Sequence, residues 1–186
     1  MSILGAIFAG GQARRFGSDK AAVEIDGIAM LDHVAAQLAP QCDALVVVGR
    51  QWQGLAAIAD QPRHGLGPLG ALAGALVHAA TEGYDAVLTS GCDLPDLPDD
   101  LIQRLSPASS VLRGQPLVGL WDVRLRPLLI AHLDQSADRS MQGLIEKAGA
   151  RRVDPPRALA NINTPDDLAA YRREELRRLE DPRSSR

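Results

Sequence analysis

A glycine-rich segment that ends on cationic side chains is the strongest sign of chemistry in the chain. Gly10 and Gly11 follow directly on a short apolar run, and Arg15 and Lys20 come a few residues later. Glycines allow backbone N–H groups to turn toward an anion, and Arg and Lys add positive charge for phosphate oxygens. The spacing matches neither the P-loop nor the dinucleotide-binding motif, so it predicts a phosphate-binding loop of another class. A tight turn with surface arginines is the alternative that the glycines alone leave open.

A second candidate residue is Asp93, which follows the apolar run at residues 86–90. Mg²⁺ is commonly held by one or two protein carboxylates together with substrate phosphates and water, so one aspartate facing a phosphate loop suffices. The alternative is a turn aspartate that bonds its own backbone ahead of Leu94 and Pro95. The neighbouring Cys92 is predicted to be a small buried residue and not a nucleophile, because no partnered histidine base is evident.

Two weaker signals lie between these segments. Gly67, Pro68 and Leu69 stand at the entrance of a helical segment, where small residues leave room for a flat base or ribose. A plain helix-initiating turn explains them equally well. Asp60 ends a weak apolar run and can accept hydrogen bonds from a base or ribose, although most aspartates in such places simply end strands.

The elements that must position these residues follow from the apolar pattern. Short apolar runs alternate with segments of helical period, which predicts an α/β domain with a mostly parallel sheet. Strands are predicted at residues 3–8, 44–48, 56–59, 86–90, 117–121 and 151–154. Helices are predicted at residues 30–39, 69–80, 98–105, 124–133 and 141–148, with a last helix capped by Thr164 and begun by Pro165. Parallel strands would bring the two main loops to one crevice.

Bulk composition excludes several classes of protein. The 186 residues are 46% apolar, which suits one domain with a real core. A net charge of −3 and 3% aromatic residues argue against a nucleic-acid partner. The cysteines, Cys42 and Cys92, form no CxxC pair, which argues against a structural zinc or a disulfide framework. With no basic leader and no long apolar run, we expect a cytoplasmic protein with no membrane partner.

Together these motifs resemble the molybdenum cofactor guanylyltransferase family. The resemblance is carried by residues 9–11, 15–20, 67–70, 92–95 and 161–168, and it extends over about residues 3–171. It implies a single three-layer Rossmann-like nucleotidyltransferase domain over residues 1–171. Residues 172–186 are expected to form a charged helix end and tail, which frays into solvent after about Tyr171. The chain has Gly49 and Arg50 where the family often has an asparagine.

The resemblance also implies an activity, the transfer of GMP from GTP to the molybdenum–molybdopterin cofactor with Mg²⁺ and release of pyrophosphate. Arg15, Lys20 and Asp93 are then catalytic, Asp93 is the metal ligand, and residues 161–164 border the pterin. The residues implied to bind the nucleotide are Phe8, Ala9, Gly10, Gly11, Lys20, Asp60, Gly67, Pro68, Leu69 and Asp93. The pair Gly10-Gly11 is the guanylyl pattern, which favours GTP over CTP. Transient contact with cofactor-synthesis or molybdoenzyme-delivery proteins is also expected.

Two other functions stay open on the sequence. One is a nucleotidyltransferase for another nucleotide or acceptor, of cytidylyl or sugar-phosphate type. The other is a non-catalytic protein that binds GTP or the cofactor, which the presence of Lys20 and Asp93 disfavours.

Overall fold

The computed structural model describes residues 1–10, 19–136 and 138–180. Gly11 and Arg15, which the sequence marks for phosphate binding, lie outside these residues. In the part described, nine strands and six α-helices form an α/β fold. The strands are β1 (Ile3–Phe8), β2 (Glu24–Ile25), β3 (Ile28–Ala29), β4 (Ala44–Val48), β5 (Ala56–Ile58), β6 (Ala86–Gly91), β7 (Ser110–Leu112), β8 (Gln115–Asp122) and β9 (Arg151–Val153). The helices are α1 (Met30–Leu38), α2 (Gly67–Glu82), α3 (Leu101–Leu105), α4 (Arg126–Gln135), α5 (Met141–Lys147) and α6 (Pro165–Glu180).

A seven-stranded sheet with the order β5-β4-β1-β6-β8-β7-β9 forms the centre of the fold. The strands β5, β4, β1 and β6 are parallel to one another, whereas β8 is antiparallel to both β6 and β7. The short strands β2 and β3 form a separate hairpin. The mostly parallel sheet predicted from the sequence is therefore confirmed.

Helices cover both faces of this sheet and make three layers. Strand β1 is buried along its whole length because its residues alternate between two cores. Leu4 and Phe8 pack with α2, α4 and α5, while Ile3 and Ile7 pack with α1 and α3. Such two-sided burial fits the central position of β1, whose carboxyl end lies between β4 and β6.

Helix α3 begins later than the predicted segment at residues 98–105. The carbonyl of Pro98 accepts a hydrogen bond from Gln41 Nε2 (3.0 Å), and the N–H of Ile102 donates to Gln41 Oε1 (3.4 Å). The Gln41 amide therefore lies between the two groups that would close the first helical turn. The side chain of Gln41, which is distant in sequence, thus replaces the first turn of the helix. A local sequence pattern contains no sign of such a contact.

Helix α6 has the predicted start and a longer course than expected. The N–H of Asp167 donates to the Thr164 hydroxyl (3.1 Å), which confirms the predicted cap. The helix then continues to Glu180, whereas the sequence suggested fraying after about Tyr171. The reason lies outside the helix, because Arg178 Nη1 donates to Asp96 Oδ2 (3.2 Å) and so ties the distal half of α6 to the loop after β6.

Candidate active site

The carboxyl ends of β1, β4 and β6 meet at one edge of the sheet, and the loops leave the sheet there. The N–H of Ala9 donates to the carbonyl of Val48 (3.0 Å), and the N–H of Cys92 donates to the carbonyl of Phe8 (3.2 Å). The chain segments after all three strands are thus held side by side at their origin. This is the place in an open α/β sheet where ligands usually bind.

Lys20, Asp93 and Asn163 form a polar cluster at this edge. Lys20 Nζ lies 2.9 Å from Asp93 Oδ2 and 2.6 Å from Asn163 Oδ1. The side chains of Lys20 and Asp93 are 15% and 20% exposed, so the pair is only partly open to water. The three residues come from widely separated parts of the sequence, and the structure brings them into direct contact.

The backbone supports each member of this cluster. Lys20 begins a short 3-10 helix, Lys20–Ala22, which the Asp19 carboxylate caps by accepting from the N–H of Ala21 (3.2 Å). A Cβ at Gly91 would collide with Asp93 Oδ1, so a glycine at the end of β6 makes room for the carboxylate. The carbonyl of Asp93 accepts from the N–H of Ile162 (3.0 Å), which places Asn163 beside it.

Asn163 belongs to the segment that starts α6. Its side-chain amide donates to Asn161 Oδ1 (2.8 Å), and its N–H donates to Asp167 Oδ2 (2.9 Å). These bonds leave Asn163 Oδ1 directed at Lys20. The backbone hydrogen bond from Asn163, followed by the bond to Thr164, holds the pKa of Asp167 below its usual value.

A second group of residues lines the side of β4 and β5. Gly49 has φ +90, and a Cβ there would come within 2.7 Å of Gly10 Cα, so the two glycines allow a close approach of two backbones. Asp60 Oδ1 is also near Gly49, at 3.8 Å from the same Cβ position. Gly10 and Asp60, two of the residues implied to bind the nucleotide, therefore flank one glycine.

The start of α2 packs on the segment that carries Asp60. The N–H of Gln61 donates to the carbonyl of Gly70 (3.0 Å), and helix α2 begins at Gly67 with Pro68 in its first turn. Leu69 is fully buried in the core, whereas Gly67 and Pro68 are exposed and so open to contact with a ligand. Phe8 and Ala9 are also largely buried, at 9% and 7% exposed.

Sequence reasoning did not single out an ion pair beside the cluster. Arg50 Nη1 donates to Asp19 Oδ1 (2.6 Å), and Arg50 Nη2 donates to Asp19 Oδ2. The hydrogen bonds from Arg50 hold the pKa of Asp19 below its usual value. The sequence marks this place through Gly49 and Arg50, which stand where the family often has an asparagine. It does not reveal the partner of the arginine, Asp19, which is 31 residues away along the chain.

Cys92 lies beside the cluster as a free, partly buried thiol. Burial, together with the neighbouring Asp93 carboxylate, raises its pKa to about 11. A thiolate is therefore scarce at neutral pH, which agrees with the prediction that Cys92 is not a nucleophile, although the residue is only partly buried.

The donor atoms of the cluster suit a hard divalent cation. Asp93 offers a carboxylate and Asn163 an amide oxygen, and such oxygen ligands are those that Mg²⁺ prefers. Among the described residues no group of three or more His, Cys, Asp and Glu side chains is placed to hold a metal. A cation at Asp93 would thus depend on substrate oxygens and water for its other ligands. In the same part of the chain, no helix is long and apolar enough to cross a membrane.

Comparisons with known proteins agree with one another. The family model of the MobA-like NTP transferase domain matches residues 5–159. A molybdenum cofactor guanylyltransferase of Rhodobacter capsulatus is 38% identical over 181 residues, covering 91% of this chain and 94% of that protein. A protein of the same name from Cereibacter sphaeroides is 35% identical over 184 residues, covering 91% and 95%. The crystal structure of molybdopterin-guanine dinucleotide biosynthesis protein A from Archaeoglobus fulgidus has a TM-score of 0.72 at 20% identity, covering 94% of this chain and 99% of that one, which shows a shared fold.

Proposed function

Because the chain belongs to the MobA-like NTP transferase family, we propose that it transfers GMP from GTP to the molybdenum–molybdopterin cofactor, with release of pyrophosphate. The product is the guanine dinucleotide form of the cofactor. The observation that carries this proposal is the cluster of Lys20, Asp93 and Asn163 at the carboxyl edge of the sheet. It joins a cation, a carboxylate and an amide in the place where a triphosphate and a second substrate can meet.

The nucleotide would lie along the ends of β1, β4 and β5. The backbone of Phe8, Ala9 and Gly10, with Gly11 beyond the described residues, would contact the phosphates and the sugar. Asp60 would accept hydrogen bonds from the guanosine, beside the segment Gly67, Pro68 and Leu69 that starts α2. Support comes from the close approach of Gly10 and Gly49, since it leaves backbone and not side chains at this wall.

The reaction needs positioning and charge more than proton transfer. An oxygen of the terminal phosphate of molybdopterin would form a bond to the α-phosphorus of GTP in line with the leaving group. The bond from the α-phosphorus to the bridging oxygen would break, and pyrophosphate would leave with that oxygen. The attacking phosphate is already ionised at neutral pH, so no general base is required. Lys20 and Arg15 would offset the charge that gathers on the phosphoryl oxygens.

We further propose Asp93 as the ligand of a Mg²⁺ ion. When bound, such an ion would offset negative charge on the triphosphate and polarise its oxygens. Lys20 would then turn from Asp93 toward the phosphates, while Asn163 Oδ1 keeps its ammonium within reach. Residues 161–164 would border the pterin, and the contact of Asn163 with Lys20 supports this by placing the segment beside the cluster.

The setting in the cell follows from the same chemistry. We propose that the protein works in the cytoplasm, where the free thiols of Cys42 and Cys92 stay reduced. The finished cofactor would pass by transient contact to cofactor-synthesis or molybdoenzyme-delivery proteins.

The test is pyrophosphate release with Mg²⁺ and GTP, CTP or ATP in turn, with and without molybdopterin cofactor. Release with GTP plus cofactor, abolished in Asp93→Asn, is the expected result. A matched control is Asp154→Asn, because that carboxylate is 77% exposed and remote from the cluster. A preference for CTP or ATP, or turnover without the cofactor, would overturn the assignment to GMP transfer. Binding of GTP without any turnover would point to a non-catalytic binding protein.

A further inference from the structure

A chain of polar contacts runs from α1 to the residue that precedes Lys20. Trp52 Nε1 donates to Asp32 Oδ1 (2.7 Å) on α1, and the Arg50 guanidinium carbon lies 5.4 Å from the centroid of the Trp52 ring. Arg50 in turn donates from both terminal nitrogens to the two carboxylate oxygens of Asp19. Stacking on an aromatic ring and a two-point carboxylate bond each favour Arg over Lys.

The last link of this chain fixes the backbone from which Lys20 projects. Asp19 accepts from the N–H of Ala21 through its carboxylate (3.2 Å) and from the N–H of Ala22 through its carbonyl (3.0 Å). Arg50 bonds the same Oδ1 atom that caps Ala21. The orientation of the first turn of the 3-10 helix is therefore tied to the position of Arg50.

We infer that Arg50 is a positioning residue for Lys20, acting through Asp19. Lys20 has a flexible side chain, yet its ammonium must meet groups from two other segments, Asp93 and Asn163. Both terminal nitrogens of Arg50 are occupied by Asp19 and one face of its guanidinium is covered by Trp52, so these groups hold the arginine in place. The importance of this role for catalysis rests on the proposed function, whereas the positioning itself does not.

The first experiment measures Lys20 without any substrate. Lys20 and Lys147 are the lysines of this chain, and Lys147 is exposed, so it serves as an internal reference for competitive acetylation followed by mass spectrometry. In the wild type we expect slow labelling of Lys20 relative to Lys147. In Arg50→Gln and in Asp19→Asn the relative rate should rise about three- to tenfold, as for other coupled neighbours.

The control and the double variant separate positioning from other roles. Arg113→Gln removes an exposed arginine–aspartate pair with Asp154 (2.6 Å) outside the site, and it should leave the labelling ratio unchanged. Asp19→Asn/Arg50→Gln should label like either single variant, because each breaks the same link. An unchanged ratio in both single variants, or a rise in Arg50→Gln alone, would overturn the inference.

The second experiment connects the position of Lys20 to turnover. In the pyrophosphate assay, Arg50→Gln, Asp19→Asn and the double variant should lose kcat/KM to the same extent, while Arg50→Lys should recover only part because it lacks the fork. A normal rate in Asp19→Asn with a loss in Arg50→Gln would mean that Arg50 meets the substrate itself, and would overturn the inference. If the wild type releases no pyrophosphate, the proposed function fails while the labelling result still decides the role of Arg50.

Discussion

At the scale of single residues, Lys20 is bonded to the carboxylate of Asp93, which a metal ion would need as a ligand. Its ammonium lies 2.9 Å from Asp93 Oδ2 in a pair that is mostly shielded from water. A divalent cation approaching Asp93 must therefore displace Lys20 or share the carboxylate with a positive charge. In the proposed reaction the triphosphate would resolve this conflict, because it would offer the ammonium new partners.

This competition gives a first prediction. Lys20→Gln should bind Mn²⁺, a spectroscopic substitute for Mg²⁺, about three- to tenfold more tightly than the wild type without nucleotide, because one partly screened charge has been removed. The measurement is a Mn²⁺ titration followed by electron paramagnetic resonance. Lys147→Gln, which removes an exposed charge elsewhere, should leave the affinity unchanged. Equal affinity in Lys20→Gln and the wild type would show that the ammonium does not compete with a metal.

A second prediction concerns the thiol beside Asp93. Burial raises the pKa of Cys92 to about 11, so thiol reagents should label it slowly at neutral pH, and Cys92→Ser should keep kcat/KM within about twofold. Thiol labelling and the pyrophosphate assay check the two parts. A loss of about a hundredfold or more in Cys92→Ser would instead assign the thiol a direct part in the reaction.

At the scale of elements, Asp96 joins the loop after β6 to two distant parts of the chain. It accepts hydrogen bonds from Arg157 and from Arg178 on α6, and its side chain is only 16% exposed. Burial alone would raise its pKa, but the bonds from the two arginines outweigh it, and the pKa lies below the ordinary 3.8. The distal half of α6 thus anchors a residue close to Asp93.

A third prediction follows from this anchor. Asp96→Asn should lower the free energy of unfolding by about 1–2 kcal/mol at neutral pH, because the arginines can recover only part of their solvation. Since the folded-state pKa is depressed, the contribution is present above 3.8 and lost as the pH falls below it, so the gap between the two proteins should close in acid. The measurement is urea unfolding of the two proteins at neutral pH and at a pH below 3.8. Asp154→Asn should stay within about 0.5 kcal/mol of the wild type, and an equally stable Asp96→Asn would contradict the anchor.

The elements also show what the sequence can predict and what it cannot. The strands β1, β4 and β6 are two-sided apolar runs, and their bounds follow closely from composition. The reversed direction of β8 depends on pairing with β6 and β7, which no local pattern contains. The short strand β7 was not predicted, and its pairing with β8 and β9 involves residues distant in sequence or across a turn.

The candidate site divides along the same line. Lys20 could be marked because it ends the glycine-rich segment after β1, and Asp93 because it follows the apolar run of β6. Their contact with Asn163 could not, because the asparagine is 143 residues from Lys20 and is positioned by the backbone bond between Ile162 and Asp93. The role inferred for Arg50 likewise depends on tertiary pairing with Asp19.

At the scale of the whole molecule, burial of weak acids makes the stability of the fold decrease at alkaline pH. Burial raises the pKa of Cys42 to about 12, that of Cys92 to about 11 and that of Tyr171 to about 12. These groups lie in different places, Cys42 and Cys92 against the core between α1, α3 and the sheet, and Tyr171 against the small cluster around Met30. Each keeps its proton in the folded chain at a pH where the unfolded chain releases it.

The sign of the effect follows from that difference. A raised folded-state pKa gives stability that is fully present below the unfolded-state value, 9.0 for a thiol, and lost as the pH rises toward the folded-state value. We therefore expect the free energy of unfolding to fall between about pH 8 and about pH 10.5, by about 2 kcal/mol for each buried thiol at 1.4 kcal/mol per pH unit. Urea unfolding of the wild type and of Cys42→Ala/Cys92→Ala measures it. The double variant should be less stable at pH 8 because packing is lost. Its free energy of unfolding should fall less on going to alkaline pH, since only Tyr171 of the three groups remains. Parallel pH profiles of the two proteins would show that the thiols do not set the alkaline limit of stability.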